Sequence, residues 1–337
     1  MAKAKDSTRK ETLTLKGNWV TYRPEIRVLD CTIRDGGLMN NHYFKDEFVR
    51  SVYEACVESG VDYMEFGYKA SKKIYPPDKS GPWKYCNEED LRRIVGDNDT
   101  SLKLAAMADA ERTDFHTDIL PCDESVLDVI RVATYIHQIP TALEMVHDAV
   151  EKGYEVTLNL MAVSIVPEHE LNDAIGVIMD TGISTLYLVD SFGAFYSEQI
   201  QQLVQKYLSA AEPAGKEVGV HCHNNQQLAY ANTIEAIILG ANRIDATFSG
   251  LGRGAGNCPL ELLLGFLHNP RYNLRAVLKC IEEQFVPLQK ELEWGFSIPY
   301  MLTGQLNQHP RPALAHMTSE NKNNITDFFD SIMQEIS

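Results

Sequence analysis

Apolar positions along this chain follow two alternating rhythms. Short runs rich in β-branched and aromatic residues read as strands: IRVLDCTI (26–33), VDYMEFGY (61–68), LKLAAMA (102–108), VLDVIRVA (126–133), YEVTLNLMAVS (154–164), STLYLVDSFG (184–193), EVGVHCHNN (217–225) and ANRIDATFSG (241–250). Between them apolar residues recur every three to four positions, as in FKDEFVRSVYEACVESG (44–60) and IPTALEMVHDAVEKG (139–153), and several such stretches stop at a glycine: Gly60, Gly153, Gly182 and Gly240. Eight strand-like runs, each followed by a helical one, predict an α/β protein built as a (β/α)8 TIM barrel. A doubly wound open sheet would carry a GxGxxG fingerprint after its first strand, and none is present.

The rhythm changes at the ends. Residues 1–24 are polar and basic and are expected to form an N-terminal tail, residues 25–268 the barrel, and residues 269–337 a helical C-terminal extension serving as a lid or as a contact for a partner or second copy. Residues 69–85, rich in Lys, Pro and Gly, read as a long loop after the second strand.

Composition narrows the function classes. The chain has 337 residues, 44% of them hydrophobic, enough for a large core and without any apolar run of membrane-spanning length. With 31 basic against 47 acidic residues the formal charge is -16, which repels phosphodiester backbones and argues against nucleic-acid binding. Seven scattered cysteines with no CxxC pair fit reduced thiols and a cytoplasmic setting.

Candidate chemistry gathers at strand ends. His221 and His223 lie two apart, so on a strand both imidazoles face one side. In a TIM barrel functional side chains come from the C-terminal ends of strands, and the eighth strand neighbours the first. Asp35 after the first strand, His221 and His223 at the end of the seventh, and Asn257 in the glycine-rich loop after the eighth are therefore expected to meet. One carboxylate, two imidazoles and an amide oxygen make a mixed site suited to a divalent ion, Mn²⁺ or Mg²⁺, with Co²⁺ and Zn²⁺ as alternatives. A structural zinc site would be closed and usually rich in cysteine. Glu65, Arg131 and Asn159, polar residues in strand positions, are candidates for contacting a substrate.

LDCTIRDGG, VDSFGAF, HCHNNQQLAYANT and IDATFSGLGRGAGNCPLE together resemble the DRE-TIM metallolyase superfamily, which includes 3-hydroxy-3-methylglutaryl-CoA lyases, 4-hydroxy-2-oxovalerate aldolases and isopropylmalate and homocitrate synthases. The resemblance spans roughly residues 26 to 267 and is closest to the aldolase-like branch. It implies a divalent metal on Asp35, His221, His223 and Asn257, a 2-oxo acid substrate, and a C–C bond cleaved or formed through a metal-stabilised enolate, with Arg34 holding the oxyanion. The aldolases carry a base histidine three positions after the metal aspartate; here that position is Leu38, and His42 is the substitute considered. Tyr300 resembles a tyrosine those enzymes contribute from beyond the barrel as a proton donor. The resemblance also raises a homo-oligomer or an aldehyde-dehydrogenase-type partner bound through the extension. Two other readings stand beside this one: a Claisen-type synthase joining an acyl-CoA to a 2-oxo acid, although RDGGL departs from the synthases' RDGEQ, and a barrel acting only as a partner subunit.

Overall fold

The computed structural model describes residues 23–336; most of the expected N-terminal tail lies outside them. Eight parallel strands close into a barrel in sequence order: β1 Arg27–Asp30, β2 Tyr63–Tyr68, β3 Lys103–Asp109, β4 Val129–Thr134, β5 Glu155–Leu160, β6 Thr185–Asp190, β7 Glu217–Cys222 and β8 Arg243–Ala246. β8 pairs with β1 from Arg27 opposite Arg243 to Asp30 opposite Ala246, and that pairing brings the two ends of the barrel sequence together. The expected fold is therefore present. Helices such as Asp46–Ser59, Ile139–Glu151, Ser197–Ala211 and Ala229–Leu239 cover the outside.

Alternation along the strands sorts residues into two environments. Outward positions such as Met64, Phe66, Ile130, Val132, Leu158, Val218 and Ile244 join the main hydrophobic core, between sheet and helices. Inward positions are unusually polar. Glu65, Arg131 and Asp245 are buried there, and the Arg131 guanidinium stacks on the Tyr187 ring, 4.5 Å from its centre. A side chain at Gly219 would place its Cβ 2.5 Å from that ring, so β7 has a glycine where its neighbour needs the room.

Two local expectations change. The first strand stops at Asp30 rather than Ile33, and Thr32–Gly36 form a single helical turn followed by a tighter turn at Gly37–Met39. The Asp30 carboxylate explains this: it accepts the backbone N–H of Thr32 at 3.3 Å and its hydroxyl at 2.5 Å, local bonding that competes with an extended backbone. Arg34 and Asp35 thus project from a helical turn. The first helical stretch of the extension, residues 273–294, is also more divided than its sequence suggested. After Leu274–Cys280 and a wider turn at Ile281–Phe285 come separate helices Ile298–Gln305, Arg311–Met317 and Ile325–Ile336. Tyr300, Leu302, Ala313, Phe328 and Ile332 from these helices form a second small apolar cluster that takes in Ala255 of the glycine-rich loop. The extension is therefore seated on the loop that follows β8. Among the described residues no helix is long and apolar enough to cross a membrane.

Candidate metal centre

His221 ends β7 with its ring pointing into the barrel mouth, and His223 continues the same face two residues on, bridged antiparallel to Asn257. The far nitrogen of each ring is occupied. His221 Nδ1 pairs with Asp245 Oδ2 at 3.0 Å, and His223 Nδ1 with the carbonyl of Asp190 at 3.0 Å. Each acceptor fixes the proton on Nδ1 and leaves the Nε2 lone pair facing inward. Both Nε2 atoms are buried without a hydrogen-bond partner, as is Asn257 Oδ1. Asp35 completes the group: its Oδ2 lies 3.5 Å from His223 Nε2 and accepts Asn257 Nδ2–H at 2.5 Å. Ligating atoms of Asp35, His221 and His223 all fall within 4.8 Å of one another.

Leaving buried acceptors unsatisfied costs about 1–3 kcal/mol each. Two imidazole nitrogens left bare beside a carboxylate are a defect in a barrel but a fit for a divalent cation, and the mixed oxygen and nitrogen set matches one; Asn257 turns its amide N–H toward the same carboxylate. Burial alone would push the Asp35 carboxyl up, but the Arg34 guanidinium beside it outweighs that and holds it well below the usual carboxylate range. Burial, with the Arg253 guanidinium, pushes His223 well below the ordinary imidazole value, so both groups stand in their ligating forms.

Beneath the centre a chain of buried charges crosses the barrel. Arg34 Nη1 holds Asp35 Oδ1 at 2.7 Å, while its Nε holds Glu65 Oε2 at 2.8 Å. Arg131 then joins Glu65 (2.9 Å) to Asp245 (2.6 Å), which returns to His221. Every member compensates its neighbours, so the chain orients Arg34 and His221 from below.

Arg34, Asp35, His221, His223 and Asn159 face a cleft at the barrel mouth, and Asn257 lies behind them. Asn159 Oδ1 is buried and unpartnered. Other sequence candidates are placed elsewhere. Glu65 and Arg131, expected to touch substrate, are fully buried in the charge chain and do not line the cleft, because their opposite charges satisfy one another. His42 sits behind Tyr68, edge-on with ring centres 5.4 Å apart, and its Nδ1 would be 2.2 Å from a Cβ at Gly37; Leu38 takes the cleft wall. Tyr300 packs its ring against Gly254 and borders a different cavity, shared with Leu38 and Met39. Burial pushes its hydroxyl up to about 12.

Three contributors escaped the sequence reading. Asp245 was signalled by alternation, since Arg243 and Asp245 are two apart on an otherwise apolar strand. Arg253 is the one charged residue in GLGRGAGN. His309, beside Pro310 in the extension and readable from the sequence only as a turn, lines the cleft.

The HMGL-like family pattern matches residues 25–282. The chain is 33% identical over 261 residues to an oxaloacetate decarboxylase of Mycobacterium tuberculosis, covering 76% of this chain and 74% of that protein. It is 31% identical over 272 residues to a 4-hydroxy-2-oxovalerate aldolase of Pelotomaculum thermopropionicum, covering 79% and 77%. Among solved structures, the N-terminal domain of a candidate aldolase from Bacteroides vulgatus superposes with a TM-score of 0.76 at 29% identity, covering 90% of this chain and 99% of that one. An HMG-CoA lyase from Brucella melitensis shares the fold, with a TM-score of 0.64 at 15% identity over 79% of this chain and 99% of that one.

Proposed function

The chain belongs to the HMGL-like family, and from that premise we propose that it is a divalent-metal-dependent carbon–carbon lyase working on the C3–C4 bond of a 2-oxo acid. One observation carries the reading: His221 Nε2 and His223 Nε2, buried and unpartnered, meet Asp35 beside a cleft-lining arginine. The relatives' names agree on the bond, since decarboxylating oxaloacetate and splitting 4-hydroxy-2-oxovalerate both cut between C3 and C4.

A divalent ion on Asp35, His221, His223 and Asn257, for which we propose Mn²⁺ or Mg²⁺, supplies a Lewis acid for the carboxylate and ketone of a 2-oxo acid. The chain's own groups do the rest. Arg34, pinned at Nη1 by Asp35 and at Nε by Glu65, cannot swing away and offers a fixed positive charge to the oxygen that becomes negative as the bond breaks. Asn159 Oδ1, unpartnered on the same wall, accepts a hydrogen bond from a substrate hydroxyl. Leu38, Met107, Met161 and Phe192 supply apolar wall that keeps water from a carbanion. We propose the extension, which exposes the apolar side chains of Val286, Phe296, Ile298 and Phe329, as the part that would meet a second copy or a dehydrogenase partner.

The test is to measure bound metal in the purified protein, load Mn²⁺ or Mg²⁺, and follow pyruvate release from oxaloacetate and a panel of 4-hydroxy-2-oxo acids. Metal-dependent pyruvate release is expected. Thiol release from acetyl-CoA with 2-oxo acids, and no pyruvate under any divalent ion, would overturn the proposal.

A further inference from the structure

Outward from the metal centre the cleft opens into a second chamber that shares Arg253 and His309 with the first and adds Lys84, Arg112 and Arg311. The protein pairs its deeply buried arginines with carboxylates: Arg34 with Asp35 and Glu65, Arg131 with Glu65 and Asp245, Arg243 with Glu155 and Glu217. Among the described residues, Lys84, Arg112, Arg253 and Arg311 have no such ion pair. Lys84 Nζ rests over the rings of Tyr68 (4.3 Å) and Tyr75 (4.2 Å), and Arg112 Nη1 donates to the Tyr75 hydroxyl at 3.0 Å. Asp109 is the one carboxylate among the residues lining this chamber. In a chain of net charge -16, a mouth where four cations face a single lining carboxylate is a local inversion of sign.

Arg253 is the innermost of the four. The preceding residue touches the metal centre, since a Cβ on Gly252 would lie 2.5 Å from Asn257 Nδ2 and 2.7 Å from Asp35 Oδ2. Arg253 Nη2 donates to the carbonyl of Ser191, while its Nε is buried with no partner. Beside it, His309 Nδ1 accepts the backbone N–H of Arg311 at 3.1 Å, so the neutral ring carries its proton on Nε2. Burial, with Arg253 and Arg311, holds the His309 pKa down to about 3, keeping it in that neutral form. Both groups are hydrogen-bond donors, and neither donates to a carboxylate.

Building on the lyase reading above, we propose that the substrate is a 4-hydroxy-2-oxo acid with a second carboxylate on C4, and that Arg253, supported by His309, receives that carboxylate. The forked guanidinium geometry suits a carboxylate. It also selects the reaction. A carboxylate clamped by a cation is a poor source of CO₂, because leaving would surrender the charge that the cation stabilises. The retained carboxylate therefore departs on the carbonyl fragment. The C4 hydroxyl gives up its proton, its oxygen becomes a carbonyl, the C3–C4 electron pair passes to C3, and C3 takes a proton. With 4-hydroxy-2-oxoglutarate the products are pyruvate and glyoxylate, without oxidation or reduction overall.

Two inert ligands of equal chain length test this on the metal-loaded protein: 2-oxoglutarate, with the second carboxylate, and 2-oxovalerate, with a methyl in its place. Calorimetric titration is expected to show 2-oxoglutarate binding roughly ten- to a hundredfold tighter, the worth of one charge-assisted bond. Arg253→Gln is expected to bring the two within about threefold, and Arg253→Lys to retain part of the preference. The ratio of kcat/KM for 4-hydroxy-2-oxoglutarate over 4-hydroxy-2-oxovalerate should collapse in parallel. Should Arg253→Gln fail to fold, Arg253→Lys and His309→Gln carry the comparison. Equal affinities in the unmodified protein, or a preference that survives Arg253→Gln, would overturn this inference and leave the lyase reading intact. Binding of neither ligand would also overturn this inference, and the lyase reading falls with it only if no pyruvate is released under any divalent ion.

Discussion

Replacing Asp245 with Asn keeps the side chain's shape but removes the charge that holds the Nδ1 proton of His221 and neutralises Arg131. Burial alone would raise the Asp245 carboxyl, and the Arg131 and His221 contacts more than reverse it, so the group is anionic where it is needed. Metal affinity in Asp245→Asn is expected to fall about 10- to 100-fold by titration with Mn²⁺, the usual cost of losing such a support. His221→Ala and Asp35→Ala should each abolish stoichiometric metal by elemental analysis while the far-UV spectrum stays that of the parent. Arg34→Ala should keep the metal and lower kcat by roughly 10²–10³, the scale of one lost oxyanion contact. At this scale the sequence was readable where spacing carries geometry. An HxH pair on a strand faces one way, and an Arg-Asp at a strand end sits on a rim. It was mute where a role depends on who stands opposite: nothing local says that Glu65 and Arg131 spend their charges on each other, or that His42 lies behind Tyr68.

Among the elements, the turn after β1 shows the same divide. The apolar run through Ile33 read as strand throughout, yet Thr32 bonds to Asp30 and also accepts the backbone N–H of Phe248 at 2.9 Å, from the loop after β8. That second bond spans 216 residues and could not be seen in a local window. Thr32→Val strands the buried N–H of Phe248 and removes one of the two donors to Asp30, so it is expected to cost about 1–3 kcal/mol in chemical denaturation, with some loss of metal affinity because Asp35 rides on this turn. The glycine loop makes a sharper case. Gly252→Ala would push a methyl between Asp35 and Asn257, so metal affinity should drop far more than thermal stability does.

The whole molecule was the most legible scale, because eight repetitions of one strand–helix rhythm constrain the topology far more tightly than any single run does. The seat of the extension was not, since its helices pack on Ala255 and the cluster around Tyr300, a contact no local period announces. A folded barrel that binds a cation its unfolded chain does not should be stabilised by about 2.7 kcal/mol at a hundred times Kd. Melting curves should therefore shift upward by several degrees on adding Mn²⁺ and return on chelation. The contact between Asp35 and Asn257 spans 222 positions, and that separation has a consequence in time as well as space. At ribosomal rates of about 5–20 residues per second, Asp35 waits roughly 10–45 s for its amide partner to be made. A nascent chain halted before Asn257 should hold no ion when its metal content is assayed, so the choice of metal falls to the finished protein rather than to whichever ion meets the growing chain first.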